Sequence, residues 1–96
     1  MDAVRPYVFQ HSSRDLPKPA HVFNHEIVCF CLEDVELSVG DRILARCPDG
    51  RMLDGAILGM EVDHVAVDHV SAPPKVSVGC RVGFRARKTY SYVVVT

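Results

Sequence analysis

Short runs of β-branched and apolar residues, each closed by Gly, Pro or Asp, recur along most of this chain. From His21 onward no stretch shows the i, i+3, i+4, i+7 spacing of an amphipathic helix. The pattern therefore predicts an all-β protein. The predicted strands lie at residues 27–32, 43–47, 56–64, 80–87 and 89–95, with a short apolar pair at 37 and 39.

Residues 1–20 differ from the rest, because they combine three prolines with a polar run and contain one short extended piece, Val4 to Phe9. This composition predicts a flexible, partly irregular N-terminal arm. Residues 21–96 form the predicted domain. In so short a chain a closed barrel best removes exposed strand edges, so we expect a single small antiparallel β-barrel of about six strands.

The strongest turn signal is Pro48-Asp49-Gly50-Arg51, since Pro presets one turn dihedral and Gly adopts a positive φ easily. A second turn at Asp54-Gly55 is expected to precede the strand at 56–64. Alternation along that strand predicts that one face points into the core. The residues on this face are Leu58, Met60, Val62 and His64.

Length and charge narrow the function classes. The chain has 96 residues, enough for one small domain, and its formal net charge of −1 argues against a strongly basic nucleic-acid binder or a polybasic membrane anchor. No apolar stretch reaches the length of a transmembrane helix, and no phosphate-binding loop of the Gly-x-x-x-x-Gly-Lys type is present. We therefore expect no membrane association, no nucleotide and no enzyme activity.

Three motifs carry a family resemblance. Val39-Gly40-Asp41-Arg42-Ile43, Met60-Glu61-Val62-Asp63-His64 and Val78-Gly79-Cys80-Arg81-Val82-Gly83 follow one another in this order. Together they resemble the second-domain β-barrel of elongation factor Tu-type translation factors, and most of all the small stand-alone elongation-factor-like proteins. The resemblance covers roughly residues 21–96. It implies a β-barrel that contacts the acceptor end of tRNA or the ribosome.

Charge is unevenly distributed, and residues 69–96 contain five basic residues and no acid. If residues 80–88 are extended, Arg81, Arg85 and Arg87 share one face, with Lys88, Tyr90 and Tyr92 close behind. Arginines that pair with phosphates beside tyrosines that stack on bases predict a single-stranded RNA surface. The alternative is a solvated face that pairs with the acidic middle strands, residues 26–68.

Histidines and cysteines raise the possibility of a metal site or catalysis. Cys29 and Cys31 lie within a strand rather than in a metal-binding turn, so we interpret them as core thiols and expect no metal and no cofactor. The repeated triplets Asp63-His64-Val65 and Asp68-His69-Val70 have no accompanying nucleophile motif, which favours a structural role.

The apolar run Val93, Val94 and Val95 is a candidate interface. A strand that is apolar on both faces must be inserted between others or covered, and an edge position would favour pairing with a second copy. We therefore expect a homodimer, and as the alternative function a protein-interaction or self-assembly module. The free thiols and the polar N-terminus predict a reducing, cytoplasmic location.

Overall fold

The computed structural model describes residues 13–95, and this part of the chain folds into β-strands without a helix. In chain order the strands are β1 (Ser13–Asp15), β2 (His21–Phe23), β3 (Ile27–Leu32), β4 (Glu36–Ser38), β5 (Arg42–Arg46), β6 (Met52–Val62), β7 (Val65–Val67), β8 (His69–Ser71), β9 (Val76–Val82) and β10 (Ser91–Val95). The pairings between them are antiparallel. Residues 13–95 include no helix that could span a membrane. The predicted all-β class is confirmed.

The long strand β6 joins two halves of the main sheet. Its first half, Met52 to Ala56, pairs with β5, and its second half pairs with β7 and β9. The strand order is β1-β10-β5-β6-β9-β3-β2, while β4 and β8 form a separate two-stranded sheet. The main sheet curls into a half-barrel, as expected of a small β-barrel. Three-residue strands at its margins raise the number of strands above the predicted six.

Side chains from both halves meet in one core. Alternating residues of β3, β5, β9 and β10 point inward and are almost fully buried. Phe30 of β3 and Tyr92 of β10 meet edge to face with ring centroids 5.5 Å apart, a favoured aromatic geometry. Because β3 and β10 belong to different halves of the sheet, this contact fastens one half to the other.

The strand predicted at 56–64 is longer than expected, and its side chains do not alternate between the two faces as expected. β6 begins at Met52 and ends at Val62, so Asp54-Gly55 lies within the strand instead of forming a turn. Ile57 pairs with Val82 and Gly59 with Arg81, a register shift that leaves one extra residue on β6. This β-bulge reverses the alternation, because such bulges redirect the side chains that follow.

The inward face predicted for β6 is therefore only partly correct. Met60 is buried, and Val62 is half-buried against the core. Leu58, by contrast, is 58% exposed because it occupies the bulge. His64 is exposed because it lies in the turn after β6.

The strand predicted at 80–87 ends early. β9 stops at Val82, and residues 83–90 form bends and turns that pair with no strand among residues 13–95. Burial still alternates, since Phe84 and Ala86 face the barrel while Arg85 and Arg87 face outward. Tyr92 holds this segment: its hydroxyl donates to the Arg87 carbonyl at 2.7 Å and accepts from the Arg87 N–H at 3.2 Å.

The described part of the predicted N-terminal arm, residues 13–20, contains one short strand and an irregular stretch, and it is attached to the sheet. β1 pairs with β10 in the register Ser13 to Val95, and Leu16 is buried with its N–H donating to the Tyr92 carbonyl. The Ala20 N–H donates to the Cys29 carbonyl, which fastens the same segment to the other half of the sheet. The extended piece predicted at 4–9 lies outside the described residues.

The apolar run in β10 lies inside the sheet. β1 pairs with Val93, Val94 and Val95 on one side, and β5 pairs with the same residues on the other. Val94 is fully buried, and its two neighbours are half-buried. The open edge that the dimer interface at 93–95 required is absent, because β1 covers it.

We predict that Tyr92→Phe lowers the free energy of unfolding at neutral pH by about 1–3 kcal/mol, since it leaves the Arg87 N–H and carbonyl without their partner. Urea denaturation measures the change. Tyr90→Phe is the matched control, because the Tyr90 hydroxyl makes no hydrogen bond within residues 13–95, and it should cost less. Equal losses for the two variants would contradict the assigned role of the hydroxyl.

The same substitution should change the pH dependence of stability. Burial raises the pKa of Tyr92 to about 12, above its value of 10.0 in an unfolded chain. The folded protein thus holds this proton more tightly, and the resulting stabilisation is complete below about pH 10 and lost as the pH rises towards about 12. Tyr92→Phe should therefore show a shallower alkaline decline than the wild type.

Candidate nucleic-acid interface

A concave surface lies between the β2–β3 turn and the irregular segment 83–90. Its volume is about 370 Å³, and among residues 13–95 it is lined by two basic side chains and two imidazoles without any carboxylate. We call it the basic pocket. It is lined by His21, Val22, His25, Arg87, Lys88 and Thr89.

His25 links the two walls of the basic pocket. Its carbonyl accepts a hydrogen bond from the Ala86 N–H at 2.7 Å, and its Nδ1 lies 3.2 Å from the Ala86 carbonyl. Because a carbonyl oxygen can only accept, this second contact requires the proton on Nδ1. The two hydrogen bonds fix the segment 83–90 against the turn, so His25 positions the pocket.

The β2–β3 turn has an uncommon backbone conformation. Asn24 and His25 have φ values of 52° and 58°, and the Glu26 N–H donates to the Phe23 carbonyl across the turn. Positive φ at both central residues is the requirement of a type I′ turn, in which Gly is usually preferred at the second position. His25 occupies that position at a conformational cost, and its bonds to Ala86 offset the cost.

Two further contacts arrange the cationic groups. The hydrogen bonds of Tyr92 hold the backbone of Arg87, which leaves the exposed guanidinium free to face the pocket. On the adjoining segment, the Lys18 ammonium donates to the Thr89 carbonyl at 3.4 Å and to the Ser91 hydroxyl at 3.5 Å. Lys18 therefore adds a third flexible cation beside the pocket.

An exposed aromatic pair adjoins the basic pocket. The rings of His21 and Phe23 lie on the same face of β2, with centroids 4.2 Å apart and a tilt of 55°. Phe23 is 50% exposed, so about half of its surface is open to solvent. Flat, exposed rings beside cations are what stacking on nucleic-acid bases requires.

The structure divides the six residues predicted for RNA binding. Arg87 and Lys88 line the basic pocket, and Arg85 is exposed on the same segment. Arg81 lies apart, on β9, with its Nε 3.8 Å from a Glu26 carboxylate oxygen. Arg81, Arg85 and Arg87 are all exposed, as the alternation predicts, but β9 ends before Arg85, and Arg81 does not line the basic pocket.

Tyr90 and Tyr92 are placed differently from the prediction. Their side chains are 6% and 2% exposed, and Tyr92 packs between Phe30 and Phe84 in the core. Neither ring offers a face to a base. Tyr92 contributes to the site only through the Arg87 backbone, and the exposed aromatic rings are those of His21 and Phe23 instead.

The cysteines are not all core thiols. Cys47 and Cys80 are buried, but Cys29 and Cys31 are half-buried on the outer face of β3. Burial raises the pKa of Cys29 above its ordinary value and that of Cys80 to about 12, which keeps both thiols protonated. Within residues 13–95 no group of three His, Cys, Asp or Glu side chains is arranged to hold a metal ion.

One of the two Asp-His-Val triplets does meet a serine. Across the β4–β8 pair, the Ser38 hydroxyl lies 2.8 Å from His69 Nδ1, and His69 Nε2 lies 3.2 Å from a Glu36 carboxylate oxygen. Acyl transfer also needs unengaged N–H groups beside the serine to stabilise an oxyanion. The N–H groups of residues 38–41 all donate within the fold, so none of these four is available for that purpose, and the contacts of His69 join β4 to β8.

No protein-family model matches the chain, and no curated protein sequence shows a significant similarity to it. The all-β, barrel-like fold agrees with the resemblance to elongation-factor barrels but does not identify that family.

The turn between β6 and β7 has the same backbone conformation as the β2–β3 turn, so a substitution of His64 is a control for the same substitution of His25. Asp63 and His64 also have positive φ values, 53° and 66°, at the turn between β6 and β7. His64→Gly should raise the free energy of unfolding, because Gly removes a left-handed strain of about 1–2 kcal/mol and offsets only part of that by its own backbone entropy.

We predict that His25→Gly stabilises less than His64→Gly by about 1 kcal/mol, because it also removes the Nδ1 hydrogen bond to Ala86. Denaturation of the two variants under the same conditions measures this difference. An equal gain in both would show that the imidazole of His25 does not hold the segment 83–90.

Proposed function

We propose that this protein is a non-catalytic β-barrel module that binds single-stranded RNA at the basic pocket. The observation that carries the proposal is the pairing of an acid-free pocket, which contains Arg87 and Lys88, with the exposed rings of His21 and Phe23. Cations that follow phosphates beside aromatic rings that stack on bases are the two elements of single-strand recognition.

The resemblance to elongation-factor barrels supports the same class of partner. It implies contact with the acceptor end of tRNA or with the ribosome, and an acceptor end is a single strand whose bases are free to stack. The geometry of the pocket adds a specific surface to that expectation. Stacking comes from His21 and Phe23, and phosphate contacts come from Arg87 and Lys88 with Lys18 beside them.

The rest of the chain restricts the ligand. Residues 26–68 carry ten acidic residues against three arginines, so they repel a phosphate backbone that leaves the basic pocket. Binding is therefore confined to a short single strand, with modest affinity and strong dependence on salt.

Lys88→Gln should reduce the slope of log affinity against log salt concentration by about 0.7, the value for one phosphate contact of a single strand. Arg87→Gln should do the same. Fluorescence anisotropy with a short labelled oligoribonucleotide, measured over a salt series, gives both slopes. Lys75→Gln is the matched control, because Lys75 is exposed at the opposite end of β9 from the segment 83–90.

The salt series also tests the proposal as a whole. Equal slopes for Lys88→Gln and Lys75→Gln would mean that RNA is attracted by the overall charge and not by the basic pocket. Absence of binding at the lowest salt concentration, where the electrostatic contribution is largest, would overturn RNA binding itself.

Phe23→Leu should weaken binding by about 1–3 kcal/mol per stacked base and leave the salt slope unchanged, since it removes an aromatic face without removing a charge. The matched control is Met52→Leu, which changes another side chain that is 50% exposed. A loss of affinity in both variants, or a changed salt slope in Phe23→Leu, would contradict stacking on this ring.

A further inference from the structure

The β6 bulge exposes a large apolar side chain on the outer face of the sheet. Ile57 and Gly59 pair with consecutive residues of β9, so Leu58 between them has no cross-strand partner in the described part of the chain. Its side chain is 58% exposed. An exposed leucine alone is ordinary, but a bulge that presents one beside a concave surface is typical of a contact site.

A groove of about 270 Å³ adjoins Leu58 on this face. We call it the glycine groove, because Gly59 and Gly79 contribute no side chain to it and leave it open. A Cβ atom built on Gly59 would meet no atom within 4 Å, which confirms empty space above that residue. Its apolar lining comes from Ile27, Val39, Leu58, Ala66 and parts of Met60 and Val67.

Charges of both signs accompany this apolar surface. Arg81, Glu61 and Asp68 also line the glycine groove. Within residues 13–95, Arg81 approaches only the carboxylate of Glu26, at 3.8 Å, and neither Glu61 nor Asp68 forms an ion pair. Glu61 and Asp68 are thus unpaired within residues 13–95, and Arg81 makes only a long, exposed contact with Glu26, so a copy of this surface turned by a twofold axis can set opposite charges against one another.

We propose that the glycine groove binds a second copy of this chain, in a symmetric dimer. Leu58 of each copy enters the groove of the other, and Arg81 of each copy faces Glu61 and Asp68 of the other. In a twofold dimer the same patch of both copies must be complementary to itself. Leu58 beside the glycine groove, with charges of both signs around them, meets this requirement. The surface differs from the basic pocket, so self-association is independent of RNA binding.

The first test measures mass against concentration by analytical ultracentrifugation, from micromolar to millimolar protein. The wild type should shift from 10.7 kDa towards twice that value. Leu58→Asp should weaken dimerisation about tenfold or more, as expected for a central apolar contact. Val65→Asp is the matched control and should have no effect, because Val65 is 62% exposed and does not line the groove.

A charge exchange tests the symmetry. Arg81→Glu alone and the double variant Glu61→Arg/Asp68→Lys alone should each fail to dimerise, because each places like charges opposite one another. An equimolar mixture of the two should dimerise again, since every contact then joins opposite charges. Only an interface between copies predicts recovery on mixing.

Gly59→Val provides a variant with little risk to the fold, since open space surrounds that position. It should fill the groove and weaken dimerisation while the thermal stability of the monomer is kept. A wild type that stays monomeric at millimolar concentration would overturn the proposal. So would equal effects of Leu58→Asp and Val65→Asp, a mixture that does not recover, or unchanged dimerisation of Gly59→Val.

Discussion

The Tyr92 side chain contacts both halves of the sheet and the irregular segment 83–90. Its ring packs edge to face on Phe30 from the other half of the sheet, and its hydroxyl binds both polar groups of the Arg87 backbone. The segment 83–90 pairs with no strand among residues 13–95, so these hydrogen bonds and the His25 contact hold its position. The basic pocket therefore depends on a residue that is itself buried.

Alternation and turn chemistry are local properties, and they predict the local features of this fold. β3 has the predicted bounds, β5 differs by one residue, and the turn at Pro48–Arg51 separates two antiparallel strands. The sequence pattern does not reveal a β-bulge, because the bulge is defined by the register with the neighbouring strand. The prediction that Leu58 points into the core is wrong for this reason. Alternating burial also continues through Phe84 and Ala86 after β9 has ended, because both side chains pack against the core.

Of the candidate site, only the charged residues Arg87 and Lys88 could be predicted from the sequence. Arg87 and Lys88 are prominent in a stretch without acids, whereas His21, Phe23 and Lys18 become part of the site through pairing across the sheet. Tyr90 and Tyr92 have the composition of a stacking surface, but a core this small requires its large aromatic residues. The sequence shows which charged and aromatic side chains are present, and the long-range strand pairing decides which of these side chains face solvent.

The insertion of β10 between β1 and β5 has a consequence for how the chain folds. Ser13 pairs with Val95, so this half of the sheet remains incomplete until nearly the whole described chain has been synthesised. Before such distant residues can pair, the long loop between them must close. Loop closure costs conformational entropy that no contact has yet offset, so we expect slow folding. During that interval β5 pairs with β6 on one side only, and β1 lacks its partner β10. The charged residues on these two strands disfavour edge-to-edge aggregation of the nascent protein: they are Arg14, Asp15, Arg42 and Arg46.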